Sequence, residues 1–196
     1  MIVKVCGITS LEDARQAVGC GANALGFNFY PPSLRYLHPE QAAAIIEGIE
    51  GADVLTVAVV VGGSVGGQVS GTVAIPESIA AVQVHGIEHA ADLPDYGRRI
   101  FVAVSKHDAC RFPDNEIIID SSWGTGRVDD WTALSTLGRP YILSGGLNPD
   151  NVGRAIETLH PAGVDVCSGV ESAPGRKDMQ KLKRFIAEVR RVYGEF

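Results

Sequence analysis

The sequence predicts an α/β fold, a single small (βα)8 TIM barrel spanning residues 1–196, with thin connections after its third and fifth strands. Three observations predict it. About eight strand-like runs alternate with helical or turn-rich stretches from end to end, the pattern of parallel βαβ units. Residues with chemical potential close several different runs (Cys6, His85, Asp120, Gly145, Gly169, with Arg35 just past the second), and barrel enzymes gather their sites at the C-terminal ends of their strands. The first run leads into CGITS rather than GxGxxG, which argues against a dinucleotide-binding open sheet.

The elements follow in order. IVKVC at 2–6 alternates, placing Ile2, Lys4 and Cys6 on one face and Val3 and Val5 on the other. Ser10 caps a helix with Asp13 at its third position, and Gly19 and Gly21 stop it. ALGFNFY at 24–30 is the second strand, and the loop PPSLRYL carries Arg35. Pro39 opens a helix with Ala42, Ile45, Ile46 and Ile49 at helical spacing. DVLTVAVVV at 53–61 is a continuous β-branched run, as in a strand covered on both faces. The next stretch, 62–80, is glycine-rich and predicts a loop with only a short helix near Pro76–Ala80. AVQVHG at 81–86, a short helix near Glu88–Leu93, RIFVAVS at 99–105, an irregular 107–115 and EIIIDSS at 116–122 come next. A turn WGTGR and a helix around Trp131–Leu137 precede the strand at 140–147, the helix Pro149–Leu159, the strand at 163–168 and a closing helix over 178–193.

Composition narrows the function. With 45% hydrophobic and 20% charged residues the chain is a globular one. Its net charge of −6 argues against a nucleic-acid partner, and no apolar run reaches the roughly 20 residues of a membrane helix. Met1 runs straight into a strand with no secretory pattern, so a cytoplasmic protein is expected. Cys6, Cys20, Cys110 and Cys167 are far apart in sequence without a CxxC pair, suggesting neither a disulfide scaffold nor a zinc knuckle. His85 and His89 straddle a strand end, so no metal site is expected, and no cofactor. Oligomeric state is not legible; monomer and homodimer both fit.

PYILSGGLNP at 140–149 reads as strand, glycine turn and helix start, with Asn148 as N-cap and Pro149 in the first turn. Such a turn converges backbone N–H groups on one point, where a phosphate fits best. GVDVCSGVE at 163–171 repeats the pattern, so Gly145, Gly146, Ser168 and Gly169 predict one shared phosphate cup, with Gly124 and Gly126 a weaker third contributor. Each glycine turn taken alone equally suits plain helix packing.

KVCGIT at 4–9, GFNFYPPSLRYL at 26–37, VQVHG at 82–86, IIIDSSWGTGRVDDW at 117–131, ILSGGLNPDNV at 142–152 and VDVCSGVESAPGRKD at 164–178, taken together, resemble the phosphoribosylanthranilate isomerase family of tryptophan biosynthesis. The resemblance implies an Amadori rearrangement of a phosphoribosylated small molecule, N-(5-phosphoribosyl)anthranilate, to 1-(2-carboxyphenylamino)-1-deoxyribulose 5-phosphate. It implies Cys6 as general base, Asp120 as general acid, and Arg35 against the anthranilate carboxylate. Two other readings stand beside it: the related aminoimidazole-carboxamide ribotide isomerase of histidine synthesis, whose first strand ends in aspartate where Cys6 stands here, and a catalytically idle phosphate-binding barrel.

The chemistry asks for an acid that protonates the furanose oxygen and a base that takes the C2′ proton. Asp120 closes the apolar run Ile117–Ile119, where burial favours a protonated carboxyl; Lys4, on the face of Cys6, favours a thiolate. A free cysteine is also an ordinary buried small residue, and Asp120 also suits the capping of a turn. Lys4 beside an inward Asp165 equally predicts an interior ion pair. Arg35 suits a carboxylate bidentately, although a loop arginine is by default a solvated charge. Gln83 and His85 are placed at the pocket wall, Gln83 being the one better explained as a satisfied interior amide.

Overall fold

Eight parallel strands close on themselves in chain order in a computed structural model that describes residues 1–62, 74–120, 134 and 137–194. They are β1 Ile2–Cys6, β2 Ala24–Asn28, β3 Leu55–Val61, β4 Ala81–His85, β5 Arg99–Val104, β6 Glu116–Asp120, β7 Ile142–Ser144 and β8 Gly163–Val166. Four α-helices are described: α1 Leu11–Cys20, α2 Pro39–Glu47, α3 Val152–Leu159 and α4 Met179–Tyr193. The expected (βα)8 barrel is the observed fold.

The alternation read from β1 sorts the layers. Val3 and Val5 join the large outer core between barrel and helices, while Ile2 packs with the inner plug Val57, Ala81, Phe101, Ile118 and Ile142. That plug fills the lower barrel with apolar side chains, so the polar inward residues lie above it toward the C-terminal rim. Lys4 is one of them, 1% exposed. Its Nζ lies 2.9 Å from Asp165 Oδ1, and Ser144 Oγ donates to Asp165 Oδ2 at 3.2 Å. The interior ion pair expected from sequence therefore joins β1, β7 and β8 where the barrel closes.

Local signals explain the helices. Ser10 accepts from Asp13 N at 3.1 Å, and Gly21 at φ 109° ends α1 in the left-handed region that glycine favours. Asp13 does not complete a reciprocal cap; its Oδ2 takes the Lys177 N–H at 3.2 Å, tying α1 to the chain after β8. Asp178 caps α4 by accepting from Gln180 N and Lys181 N.

Several boundaries differ from expectation. Residues 76–80 form a turn rather than a short helix: Pro76 lacks an N–H, and Ala80 N is taken by the carbonyl and hydroxyl of Thr56, drawing the chain directly into β4. The helix expected near Glu88–Leu93 shrinks to a 3₁₀ turn at Ala90–Asp92, because Pro94 forces Leu93 to extended backbone. A second 3₁₀ turn, Ala109–Arg111, follows β5 and makes the thin connection predicted there. Asn148 and Pro149 do not start α3. Asn148 and Asn151 build a side-chain-bonded turn, and the helix begins at Val152 with Asn151 in the cap position. The turn WGTGR, most of the helix expected around Trp131–Leu137 and most of the glycine-rich stretch after β3 lie outside the described residues.

An isolated buried charge is far costlier than a pair. Lys4→Met is expected to lose about 3–5 kcal/mol of stability by urea unfolding, because Asp165 then stays buried without its cation. Adding Asp165→Leu to that variant is expected to recover much of the loss.

Candidate active site

The C-terminal rim brings most of the sequence-predicted residues to one mouth. Cys6 ends β1, His85 ends β4 and Asp120 ends β6, all in inward register with Lys4, Gln83 and Ile118 below them on the same strands. His85 lies within electrostatic reach of Asp120, Lys4 and Asp165, so side chains from four strands share one interior. Burial lowers the His85 pKa, with Asp120 opposing it. Gln83, 3% exposed, has its Nε2 2.8 Å from His85 Nε2; the amide donates there when the imidazole carries its proton on Nδ1. Gln83 Oε1 is buried with no hydrogen-bond partner among the described residues. Among the described residues Gln83 is thus only half satisfied, where the sequence favoured a fully satisfied interior amide.

Cys6 is seated by an absence on β2. A Cβ at Gly26 would stand 2.8 Å from Cys6 Sγ and 3.1 Å from Lys4 Nζ, so only glycine leaves room for the thiol and the ammonium together. The Cys6 thiol is pulled down to about 6. The largest cause is a hydrogen bond from the Cys167 thiol; burial opposes it, and Lys4 and then Lys177 add positive charge. Lys4 stays well above its ordinary value although burial opposes its charge, because Asp165 and Cys6 both favour the ammonium.

Arg35 is half-buried and paired rather than an ordinary solvated loop charge. Its Nε and Nη2 clasp Glu171 at 2.9 and 2.6 Å, a fork on a carboxylate supplied by the chain itself. Its stem passes over Gly7, whose Cβ would stand 2.6 Å from Arg35 Cδ and 3.0 Å from Cys167 Sγ. Glu171 also accepts from Lys177 Nζ at 3.0 Å, and Lys177 Nζ donates to the Cys6 carbonyl at 2.5 Å. Burial disfavours the Glu171 carboxylate, but the bonds from Arg35 and Lys177 outweigh it and hold its pKa below the usual range.

Glu171 and Lys177 stand on a small antiparallel hairpin, β9 Glu171–Ala173 and β10 Arg176–Lys177, which sequence reasoning missed. The Pro174–Gly175 pair between them was its signal, a turn dipeptide flanked by short extended runs. Cys167 was likewise missed, since its contact with Cys6 spans almost the whole chain.

The two glycine turns meet. Gly145 and Gly146 hold φ 90° and 68°, which glycine alone adopts freely, and Ser168–Gly169 lie in a 3₁₀ turn after β8. A Cβ at Gly169 would overlap the Leu147 carbonyl, so the β8 turn packs backbone to backbone on the β7 turn. The Gly146 carbonyl is occupied by the Asn151 amide at 2.9 Å. Gly124 and Gly126 fall outside the described residues. A cavity of about 450 Å³ opens beside Gly86, Ile87, Asp108 and Arg111 at the ends of β4 and β5, next to His85 in sequence but lined by none of the predicted site residues. Among the described residues no cluster of His, Cys, Asp or Glu is arranged to hold a metal, and no helix is long and apolar enough to cross a membrane.

Residues 3–188 match the family model of N-(5′-phosphoribosyl)anthranilate (PRA) isomerase. The chain belongs to that family. It is 40% identical over 203 residues to the N-(5′-phosphoribosyl)anthranilate isomerase of Magnetococcus marinus, covering 97% of this chain and 95% of the relative. The crystal structure of the Thermotoga maritima phosphoribosyl anthranilate isomerase superposes with a TM-score of 0.82 at 36% identity, covering 97% of this chain and 99% of that one. Another solved isomerase, in complex with reduced 1-(o-carboxyphenylamino)-1-deoxyribulose 5-phosphate, superposes at 0.79 with 35% identity over 97% and 99% of the two chains.

Burial and hydrogen bonding separate the thiols by reactivity. Alkylation of the native protein, located by mass spectrometry, is expected to modify Cys6 with a midpoint near pH 6, its thiolate being present above that value and lost below it. Cys167, pushed well above the ordinary thiol value, is expected to stay unreacted until much higher pH.

Proposed function

We propose that this chain converts N-(5-phosphoribosyl)anthranilate to 1-(2-carboxyphenylamino)-1-deoxyribulose 5-phosphate, with Cys6 as general base and Asp120 as general acid. The observation that carries the reading is the Cys6 thiol pulled down to about 6 on the same rim that holds Asp120. Membership of the isomerase family supplies the substrate class.

The geometry suits each step. Asp120 gives its proton to the furanose ring oxygen, the C1′–O bond breaks and an iminium forms with the anthranilate nitrogen. The Cys6 thiolate then removes the C2′ proton, and the electron pair moves to make the enolamine, which tautomerises to the ketone. Gly145, Gly146, Ser168 and Gly169 hold the phosphate; the occupied Gly146 carbonyl and the stacked turns support a cup lined by N–H groups. Gln83 Oε1 accepts a ligand N–H or O–H, which completes its hydrogen bonding, and His85 shapes the wall beside Asp120. Arg35 reaches the anthranilate carboxylate while Glu171 fixes the orientation of its fork. A cytoplasmic location is proposed with this activity, supported by four cysteines that remain free thiols.

The test is product formation from freshly made phosphoribosylanthranilate by wild type, Cys6→Ala and Asp120→Asn. Each variant is expected to lose at least about 100-fold in kcat, the usual scale for removing a general acid or base. A Cys6→Ala or Asp120→Asn protein that retained wild-type turnover would remove that residue from its role. Gly169→Ala, which pushes the β7 turn backbone, is expected to raise KM for the phosphorylated substrate more than it lowers kcat.

A further inference from the structure

Two thiols meet at the point where β1 and β8 close the barrel. Val5 pairs with Val166 in parallel register, and the next residues along are Cys6, which ends β1, and Cys167, which follows β8. Their surroundings differ in sign. Lys4 and Gly26 flank Cys6, and Lys177 Nζ lies on its carbonyl. Cys167 Sγ instead lies 3.8 Å from Glu171 Oε1, with Gly7 leaving the gap in which it sits. A negative charge between the two sulfurs settles on Cys6, next to the cations, and the proton remains on Cys167, next to the carboxylate.

In the structure the Cys167 thiol donates to Glu171 Oε1, a long contact at 3.8 Å. Glu171 Oε1 already receives Arg35 Nε at 2.9 Å, Lys177 Nζ at 3.0 Å and Gly175 N at 3.3 Å. The Cys6 sulfur, next along the paired strands and bonded by Lys4, is the less crowded acceptor. We propose that Cys167 is a positioning residue for the catalytic base: its thiol donates a hydrogen bond to the Cys6 sulfur and holds it as a thiolate facing the barrel mouth. The proposal rests on Cys6 being that base.

The arrangement trades basicity for population. A thiolate that accepts a hydrogen bond is a weaker base but is ionised in a larger share of molecules at neutral pH. During turnover the C2′ proton goes to Cys6 Sγ and Cys167 keeps its own throughout, so the donor is consumed by no step. Cys167 acts through Cys6 and takes no part in the proton transfer itself.

The test is the pH profile of kcat/KM for wild type, Cys167→Ala, Cys167→Ser and Cys167→Val, with Cys6→Ala alongside. Loss of a hydrogen bond to a charged group is expected to move the acid limb of Cys167→Ala upward by about one to two pH units, and kcat/KM on the native limb to fall about tenfold or more. Cys167→Val, which fills the site without a donor, is expected to shift likewise, whereas Cys167→Ser, whose hydroxyl still donates, keeps the limb near its native position. The alkylation midpoint of Cys6, read without substrate, is expected to move with the limb. A limb and midpoint unmoved in Cys167→Ala, or moved equally in the serine variant, overturn the proposal. An active Cys6→Ala protein overturns the base assignment and this proposal with it; an inactive Cys6→Ala beside an unmoved Cys167→Ala limb overturns the role of Cys167 alone.

Discussion

The Lys4–Asp165 pair is the constraint on which the site depends. It joins the first strand to the last inside the closed barrel, where neither charge reaches water, and Ser144 brings β7 into the same contact. Burying two charges is costly, and a well-packed apolar pair would close a barrel at least as well. What an apolar pair does not supply is an ammonium beside Cys6. The apolar plug of Val57, Phe101, Ile118 and Ile142 then excludes water from below, which keeps that charge effective at short range.

Around the rim, fixed charges divide the labour between groups that are alike in water. Cys6 and Cys167 are chemically the same, yet their pKa values move in opposite directions, chiefly through the hydrogen bond between them, with Lys4 beside one and Glu171 beside the other adding to the split. The hairpin after β8 is central to this. It delivers Glu171 and Lys177 to the end of β1, holds Arg35 in a fixed fork and anchors itself through Asp13 to α1. Charge placement and chain connectivity are therefore one feature: the hairpin closes the barrel's final connection and completes the electrostatic surroundings of the thiolate. The family's reaction needs a base that is ionised at neutral pH and an acid on the same mouth, and this rim presents a cysteine and an aspartate three strands apart around the barrel.

Much of this was legible in the sequence, for identifiable reasons. Period-two alternation in IVKVC placed Lys4 inside, and the inward Asp165 on the eighth strand supplied its partner. Ser10 and Gly21 bounded α1 through short-range backbone chemistry. What escaped was set by contacts distant in sequence or by side chains that are missing. Cys167 looked like an isolated cysteine because its neighbour lies at the other end of the chain. Gly26 gives no signal of its own within the run ALGFNFY, although its lack of a Cβ is what admits Cys6 Sγ and Lys4 Nζ. Arg35 was placed on the right loop, but its Glu171 partner stands on a hairpin too short for periodicity to reveal. The helix expected near Glu88–Leu93 failed because Pro94 outweighs a weak helical pattern.

The proposed chemistry requires one thiolate and one carboxyl to flank a single ribose whose phosphate lies in the paired glycine turns. A crystal structure of this protein with a reduced, unreactive product analogue tests it most directly. The phosphate is expected at Gly145–Gly146 and Ser168–Gly169, with Cys6 Sγ near C2′ on one side of the sugar chain and Asp120 on the other. A ligand whose phosphate binds elsewhere, or whose C2′ is out of reach of Cys6, would contradict it.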